Sequence, residues 1–387
     1  VTAPLENIRV LELARILAGP WIGQTLADLG ADVIKVESPR GDDTRTWGPP
    51  FIEDENGTKS AAYFHACNRG KRSITADFSK PEDLELIYDL VRQSDVLIEN
   101  FKVGGLAKFG LDYESLRKIN PKLVYCSVTG FGQSGPYAHR AGYDFMIQGM
   151  GGIMDLTGPK GGEPQKVGVA FADIFTGLYG VIGIQAALRR RDLTGQGEWV
   201  DMALLDAQVG VLANQAMNYL SSGVAPTRMG NAHPNIVPYQ VFEVNDGHLI
   251  VAVGNDQQFA NFCKILGVPE LSQDQRYATN PSRVQHRESL TDRLEALVVK
   301  FNRDDLLKKM EEFGVPAGPI NTVADVMSDP QIEHREMKVN LPTANDQTYV
   351  RTPIKFTNAN LKLDKGAPAL DEHRDEILRE LGKETGV

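Results

Sequence analysis

The chain is expected to fold as an α/β protein, with a Rossmann-like parallel sheet in a large domain and a smaller α+β domain beside it. Three observations predict this. Strand-like and helix-like segments alternate over the first 130 residues. The first strand–helix–strand unit spans about 30 residues, the size of a right-handed parallel crossover. The same pattern then repeats twice before the character of the sequence changes.

The elements follow in order. Ile8–Leu13 is a short apolar strand. Pro20 opens a helix in which Ile22, Leu26 and Leu29 share one face, and Gly30 stops it. Val33–Val36 reads as the next strand. Ser79 is placed to cap a helix that has Pro81 in its first turn and runs to Ser94, with Val96–Ile98 as the strand after it. Asp112 starts a helix that Pro121 ends, and Leu123–Val128 is again strand. Residues 141–220 read as helical, and Gly177, Gly180 and Gly183 form a ridge of small residues inside a long apolar stretch. Tyr239–Glu243 and His248–Val253 flank Asn245-Asp246-Gly247, a hairpin signal. The tail is extended near 349–363 and ends in a helix from Asp371 to Leu381. The expected domains are 1–205 with 330–387 (large), 225–328 (small), and 206–224 as a linking helix.

Composition excludes several classes of function. Hydrophobic residues make up 42% and charged residues 24%, ordinary for a globular protein. The formal net charge of −10 argues against nucleic-acid binding and against an anionic membrane surface. No apolar run is read as reaching the roughly 20 residues of a membrane span, and Val1–Arg9 carries no signal pattern. A start at Val suggests that a Met or a short leader is missing. Cys67, Cys126 and Cys263 match no metal spacing and fit a reducing compartment, the cytoplasm or, in a eukaryote, the mitochondrial matrix. Without an HExxH or paired-His motif, no metal site is expected.

The first strand–helix turn, Ala14-Arg15-Ile16-Leu17-Ala18-Gly19-Pro20, has one glycine where a dinucleotide fold needs three. No GxxxxGK[ST] loop exists either, so NAD and nucleoside triphosphates are set aside. Gly41–Arg45 follows the second strand, where α/β sheets hold ligands. Asn68–Ser73 clusters Arg69, Lys71 and Arg72, which suits a polyphosphate, although a solvated basic turn would read the same way. Asp173 stands out among the acids. It lies among apolar and small residues just before the long apolar helix, where it can cap the helix. The same position lets the helix dipole keep it ionised while apolar walls exclude water, as a carboxylate nucleophile requires.

Taken in order, several segments resemble the class III CoA-transferase family, which includes formyl-CoA:oxalate and carnitine CoA-transferases. They are Leu17–Pro20, Leu29–Glu37, Gly41–Arg45, Asn68–Ser73, Glu99-Asn100-Phe101, Gly142-Tyr143-Asp144, the Asp173 segment, Thr194–Gly197 and Gly314–Pro319. Gly41–Phe51, Gly230–Phe242 and Gly254–Leu266 look like the branch that exchanges CoA between succinyl and glutaryl groups. The resemblance implies that Asp173 forms a mixed anhydride with the acyl group of a CoA thioester, with no permanently bound cofactor. Gly230 and Asn231 would supply oxyanion donors. CoA would be held by Leu17, Ala18, Arg40, Asn68, Lys71, Arg72 and Tyr143. Lys108, where several members carry arginine, would add a point charge. The partners implied are acyl-CoA, small carboxylic acids and a second copy of the chain, as an interlocked-ring homodimer. A dicarboxylate leaves one spectator carboxylate to be held, for which Arg15, Arg45, His233 and Arg228 are candidates. The competing readings are an oxalate-type transferase, an acyl-CoA α-carbon racemase and a non-catalytic acyl-CoA binder. Against the racemase, Tyr143 stands where the family's base is a histidine, and a phenol with an ordinary pKa of about 10 is a poor base at neutral pH.

Overall fold

The computed structural model describes residues 2–53, 57–342 and 347–383. They form two compact units, one of Val1–Ile153, Lys166–Gly223 and Pro330–Val387, the other of Met154–Gln165 and Val224–Asp329.

The first unit is built on six parallel strands: β1 (Arg9–Glu12), β2 (Asp32–Glu37), β3 (Lys71–Thr75), β4 (Val96–Glu99), β5 (Val124–Thr129) and β6 (Glu198–Ala203). Their order across the sheet is β3-β2-β1-β4-β5-β6. The chain runs outward from β1 to one edge, returns, and runs outward to the other. That reversal makes a crevice beyond the carboxyl ends of β1 and β4. Helix α1 (Ala18–Asp28) follows β1, α2 (Pro81–Arg92) leads to β4, and α3 (Tyr113–Ile119) leads to β5. Asp112 accepts the Ser115 N–H and caps α3 as expected. Ser79 does not cap α2. Its N–H and hydroxyl both go to Asp77 instead.

Two strands lie where the sequence reads otherwise. β3 occupies the basic Asn68–Ser73 segment, and its Lys71 and Arg72 are buried. β6 lies within the stretch read as helical, because Glu198–Ala203 pairs in register along the whole of β5. The segment read as one linking helix is two, α4 (Leu204–Gly210), which packs on the long helix before it, and α5 (Ala213–Ser222).

That long helix, Phe171–Thr194, passes the length and apolarity expected of a membrane crossing, which corrects the reading that no run reaches it. Burial accounts for only part of this composition: eight of its 24 residues are buried, while Leu178, Tyr179 and Ile182 are exposed. The helix packs along α1 and against β5 and β6, and its glycines allow the approach. A Cβ at Gly177 would lie 3.1 Å from the Ala18 carbonyl oxygen, and one at Gly183 would lie 3.0 Å from a Val200 methyl. The core on this face joins Ile22, Leu26, Val124, Val181 and Ile184.

The second unit pairs the hairpin Tyr239–Val244 and Gly247–Ala252 with Ala317–Pro319 in an antiparallel sheet. Helices pack on it around Phe242, Phe259, Phe262 and Leu294.

Candidate active site

The crevice predicted by the strand order is occupied by a cavity of about 380 Å³. Its floor is the loop after β1, including Arg15, Ile16, Leu17 and Ala18. Its walls come from Asn100–Val103 after β4, Val128–Gly130 at the end of β5, and Arg140–Tyr143. Asp173 faces into it.

Each wall is tied to its neighbour. Asn100 accepts the Arg15 N–H at 3.0 Å and donates to the Arg15 carbonyl at 2.6 Å, joining the β1 and β4 loops across the point of reversal. Ile16 is held at φ +74°, a left-handed conformation that a β-branched residue rarely adopts. Its N–H reaches the Asp42 carboxylate at 3.3 Å. Asp42 in turn pairs with the buried Lys35 ammonium at 2.9 Å, and Lys35 donates to the Ala14 carbonyl at 2.9 Å. Burial would pull the Lys35 ammonium down, but Asp42, Glu12 and Glu37 outweigh it and hold it charged. A buried ionic cluster therefore fixes the shape of the loop that floors the cavity.

Asp173 does not cap its helix. It is the third helical residue, within the first turn. The cap is Asp144, the first residue of the helix Asp144–Met150, whose Oδ1 accepts the N–H groups of Ala172 at 2.8 Å and Asp173 at 3.3 Å. Among the described residues no side chain donates a hydrogen bond to the Asp173 carboxylate. Burial, and then the charge of Asp144, push its pKa up from the ordinary carboxylate range to about 7. This reverses the expectation that the helix dipole would lower it. The Tyr63 phenol is pushed up to about 12, first by burial and then by the charge of Asp173.

Leu17, Ala18, Tyr143 and Arg15 line the cavity with Asp173, although the Arg15 guanidinium is paired with Asp43 at 2.6 Å. Several other predicted contacts are engaged elsewhere. Lys71 is fully buried, donating to Glu12, the Pro20 carbonyl and Asn68. Asn68 is buried with it and also holds the Phe64 carbonyl. Arg72 pairs with Asp32, Glu376 and Glu380. Lys71 and Arg72 are thus held in ion pairs within the protein, and Lys71 also lines the larger cavity described next. Arg45 makes a bidentate pair with Glu37 at 2.7 and 2.8 Å and lies over the Phe64 ring. Together with Arg40 it lines a second cavity of about 740 Å³, which is larger but holds neither Asp173 nor the crevice loops. Lys108 is exposed above Phe109 and lines neither cavity. Gly230, Asn231, His233 and Arg228 belong to the second unit. There Arg228 is bound to Asp155 and the Gly162 carbonyl, and His233 accepts the Asn235 N–H. Among the described residues no cluster of His, Cys, Asp or Glu is placed to hold a metal.

Sequence reasoning missed the structural parts of this site. Asn100 was visible in its motif without a role, and the Ile16 strain left no trace in residue type. Asp144, which follows Tyr143, reads in the sequence as able to orient a neighbour, and its pairing with Gln148 could have been found from the i, i+4 spacing.

The family model described as CoA-transferase family III matches residues 5–374. The chain belongs to CoA-transferase family III. The enzyme is 57% identical, over 98% of its chain and 96% of the relative, to succinate–glutarate CoA-transferase of Agrobacterium fabrum. It is 43% identical to the succinyl-CoA:glutarate CoA-transferase of Mus musculus, over 98% of its chain and 86% of the relative. Among solved structures it superposes on a CAIB/BAIF family protein from Brucella suis with a TM-score of 0.89 and 64% identity, covering 98% of this chain and all of that one. The transferase thus shares an α/β fold with a parallel six-stranded sheet with its family. Like its relatives it uses a CoA thioester as substrate and not as a resident cofactor.

Proposed function

We propose that this transferase moves CoA from succinyl-CoA to a four- to five-carbon dicarboxylate such as glutarate, with Asp173 carrying the acyl group. The observation that carries the reading is a half-buried carboxylate facing the switch-point cavity, with no donor from the described residues quenching its lone pairs. The names of its similar relatives supply the acid pair.

Each step balances. An Asp173 oxygen attacks the thioester carbonyl, a C–O bond forms, the C–S bond breaks, and CoA thiolate leaves with the electron pair. The thiolate then attacks the Asp173 carbonyl of the anhydride and expels succinate, leaving an aspartyl-CoA thioester. The incoming dicarboxylate attacks that carbonyl and releases thiolate. The thiolate takes the new acyl group and frees Asp173. Anhydride and thioester are of similar reactivity, so the sequence is shallow as long as the cavity keeps water out.

Leu17, Ala18 and Tyr143 line the reacting end of the cavity, and Arg40 on the larger cavity is assigned to the phosphates of CoA. The assembly is proposed to be the interlocked homodimer of the family. Exposed Leu178, Tyr179 and Ile182 on the long helix, and Met217, Tyr219 and Leu220 on α5, give apolar surface for a partner copy to cover.

The test is a matrix of succinyl-, acetyl- and formyl-CoA donors against glutarate, succinate and oxalate, read as kcat/KM. Succinyl-CoA with glutarate should lead. Asp173→Ala should lose transfer by at least about 10³-fold with an unchanged melting profile, and hydroxylamine during turnover should modify the Asp173 peptide. Near-wild-type turnover in Asp173→Ala, or no modified peptide, would overturn the reading.

A further inference from the structure

We propose that Asp144 is a positioning residue for the transfer reaction, fixing the first turn of the Asp173 helix and keeping a negative charge beside the nucleophile. The proposal rests on the reading of Asp173 as nucleophile.

The argument begins with an oddity of placement. A carboxylate in the first helical turn is normally stabilised by the free N–H groups there. Here two of them, those of Ala172 and of Asp173 itself, are already taken by Asp144 Oδ1. The other Asp144 oxygen accepts from the Gln148 amide at 2.7 Å. Gln148 is completely buried. Its carbonyl accepts the Val167 N–H at 2.9 Å and its amide also reaches the Val169 carbonyl at 3.3 Å. Two side chains one turn apart on one helix therefore clamp the approach to the Asp173 helix at residues 167, 169, 172 and 173.

The clamp has two chemical consequences. It withholds from Asp173 the donors that would spread its charge, so the ionised carboxylate keeps its basicity and its lone pairs. It also sets an anion against an anion in the resting enzyme. Once Asp173 is acylated it is neutral and that repulsion disappears, so Asp144 disfavours the reactant relative to the covalent state. Other groups face the same space. Tyr63 lies beside Asp173, and the cations Arg15, Lys102 and Arg140 line the cavity. The burial-driven rise at Asp173 runs in the same direction as the Asp144 effect.

The decisive measurement is the pH dependence of kcat/KM, whose acid limb reports the free enzyme's essential base. Asp144→Asn keeps an oxygen for the Ala172 N–H, loses the charge, and sacrifices the Gln148 contact. Its acid limb should move toward lower pH by at least about one unit, with kcat at pH 8.5 down about tenfold and KM for acyl-CoA within about twofold. Asp144→Ala loses cap and charge together and should fall further in kcat, so that Asn acts as a partial rescue. Gln148→Met removes the donor that compensates Asp144 and should move the limb the other way, above wild type. It serves as the second variant if Asp144→Asn does not fold. An Asp144→Asn limb coincident with wild type, or a Gln148→Met limb at or below it, overturns the proposal. Asp173→Ala is run beside them. If it is dead while the limbs fail to move, only the role of Asp144 is lost. If it turns over normally, the nucleophile reading falls as well.

Discussion

At Asp173 one side chain sits where a helix should welcome a charge, yet its proton is held more tightly than usual. Folding and chemistry make opposite demands on it. Its pKa rises from 3.8 to about 7 on folding, so the folded state binds the extra proton between those values. Stability is therefore fully present at low pH and declines as pH rises through 4 to 7. Asp173→Asn removes the ionised form. Its stability gain over wild type should be near zero at pH 4 and grow to at most about 4 kcal/mol at pH 8, read from urea midpoints at the two pH values. No gain at pH 8 would show that the carboxylate is better solvated than its surroundings imply. An inactive variant that is more stable than the parent is the signature of a site kept reactive at the expense of stability.

At the scale of elements, the cavity wall depends on two glycines meeting across a gap that no side chain could fill. A Cβ built on Gly130, just after β5, would lie 2.5 Å from the Gly142 Cα. Gly142 directly precedes Tyr143 and Asp144, so spreading this contact would displace the start of the clamping helix. Gly142→Ala should destabilise the fold by about 1–3 kcal/mol and lower kcat more than it raises KM for acyl-CoA. An unchanged kcat in a destabilised variant would separate the contact from catalysis. The motif around Gly142 was legible in the sequence, as were the alternating elements and the nucleophile candidate, because each is written in adjacent residues. The β3 strand was not legible. Lys71 and Arg72 look like a solvated turn until Glu12 and Asp32, far away in sequence, are brought beside them. β6 was hidden for a related reason. Glu198–Ala203 shows its strand character through pairing with β5, while its neighbours on both sides are helical.

At the scale of the molecule, the first unit is closed by its own late segments. Arg72 holds Glu376 and Glu380 of the last helix, Arg374–Glu380, at 3.0 and 2.7 Å. Arg9 on β1 joins the same Glu380 at 3.0 Å. Arg72 is buried, but its three carboxylate partners are partly exposed and can be solvated once it is gone, so losing it costs about 1–3 kcal/mol, less than breaking a fully buried pair. Arg72→Met should lose stability in that range in urea denaturation while KM for acyl-CoA stays within about twofold. A large rise in KM with little loss of stability would instead return Arg72 to the role of a CoA ligand.

The span between Arg72 and Glu376, 304 residues, also sets a schedule. At about 5–20 residues per second, a ribosome needs roughly 15–60 s to deliver the acidic partners after the basic edge strand has emerged. Throughout that interval Arg72 lacks the two glutamates that it holds in the finished fold, and the edge of the sheet stands without its final helix. The edge of the sheet thus waits for these partners through most of synthesis, and slowing translation anywhere between the two would prolong that period.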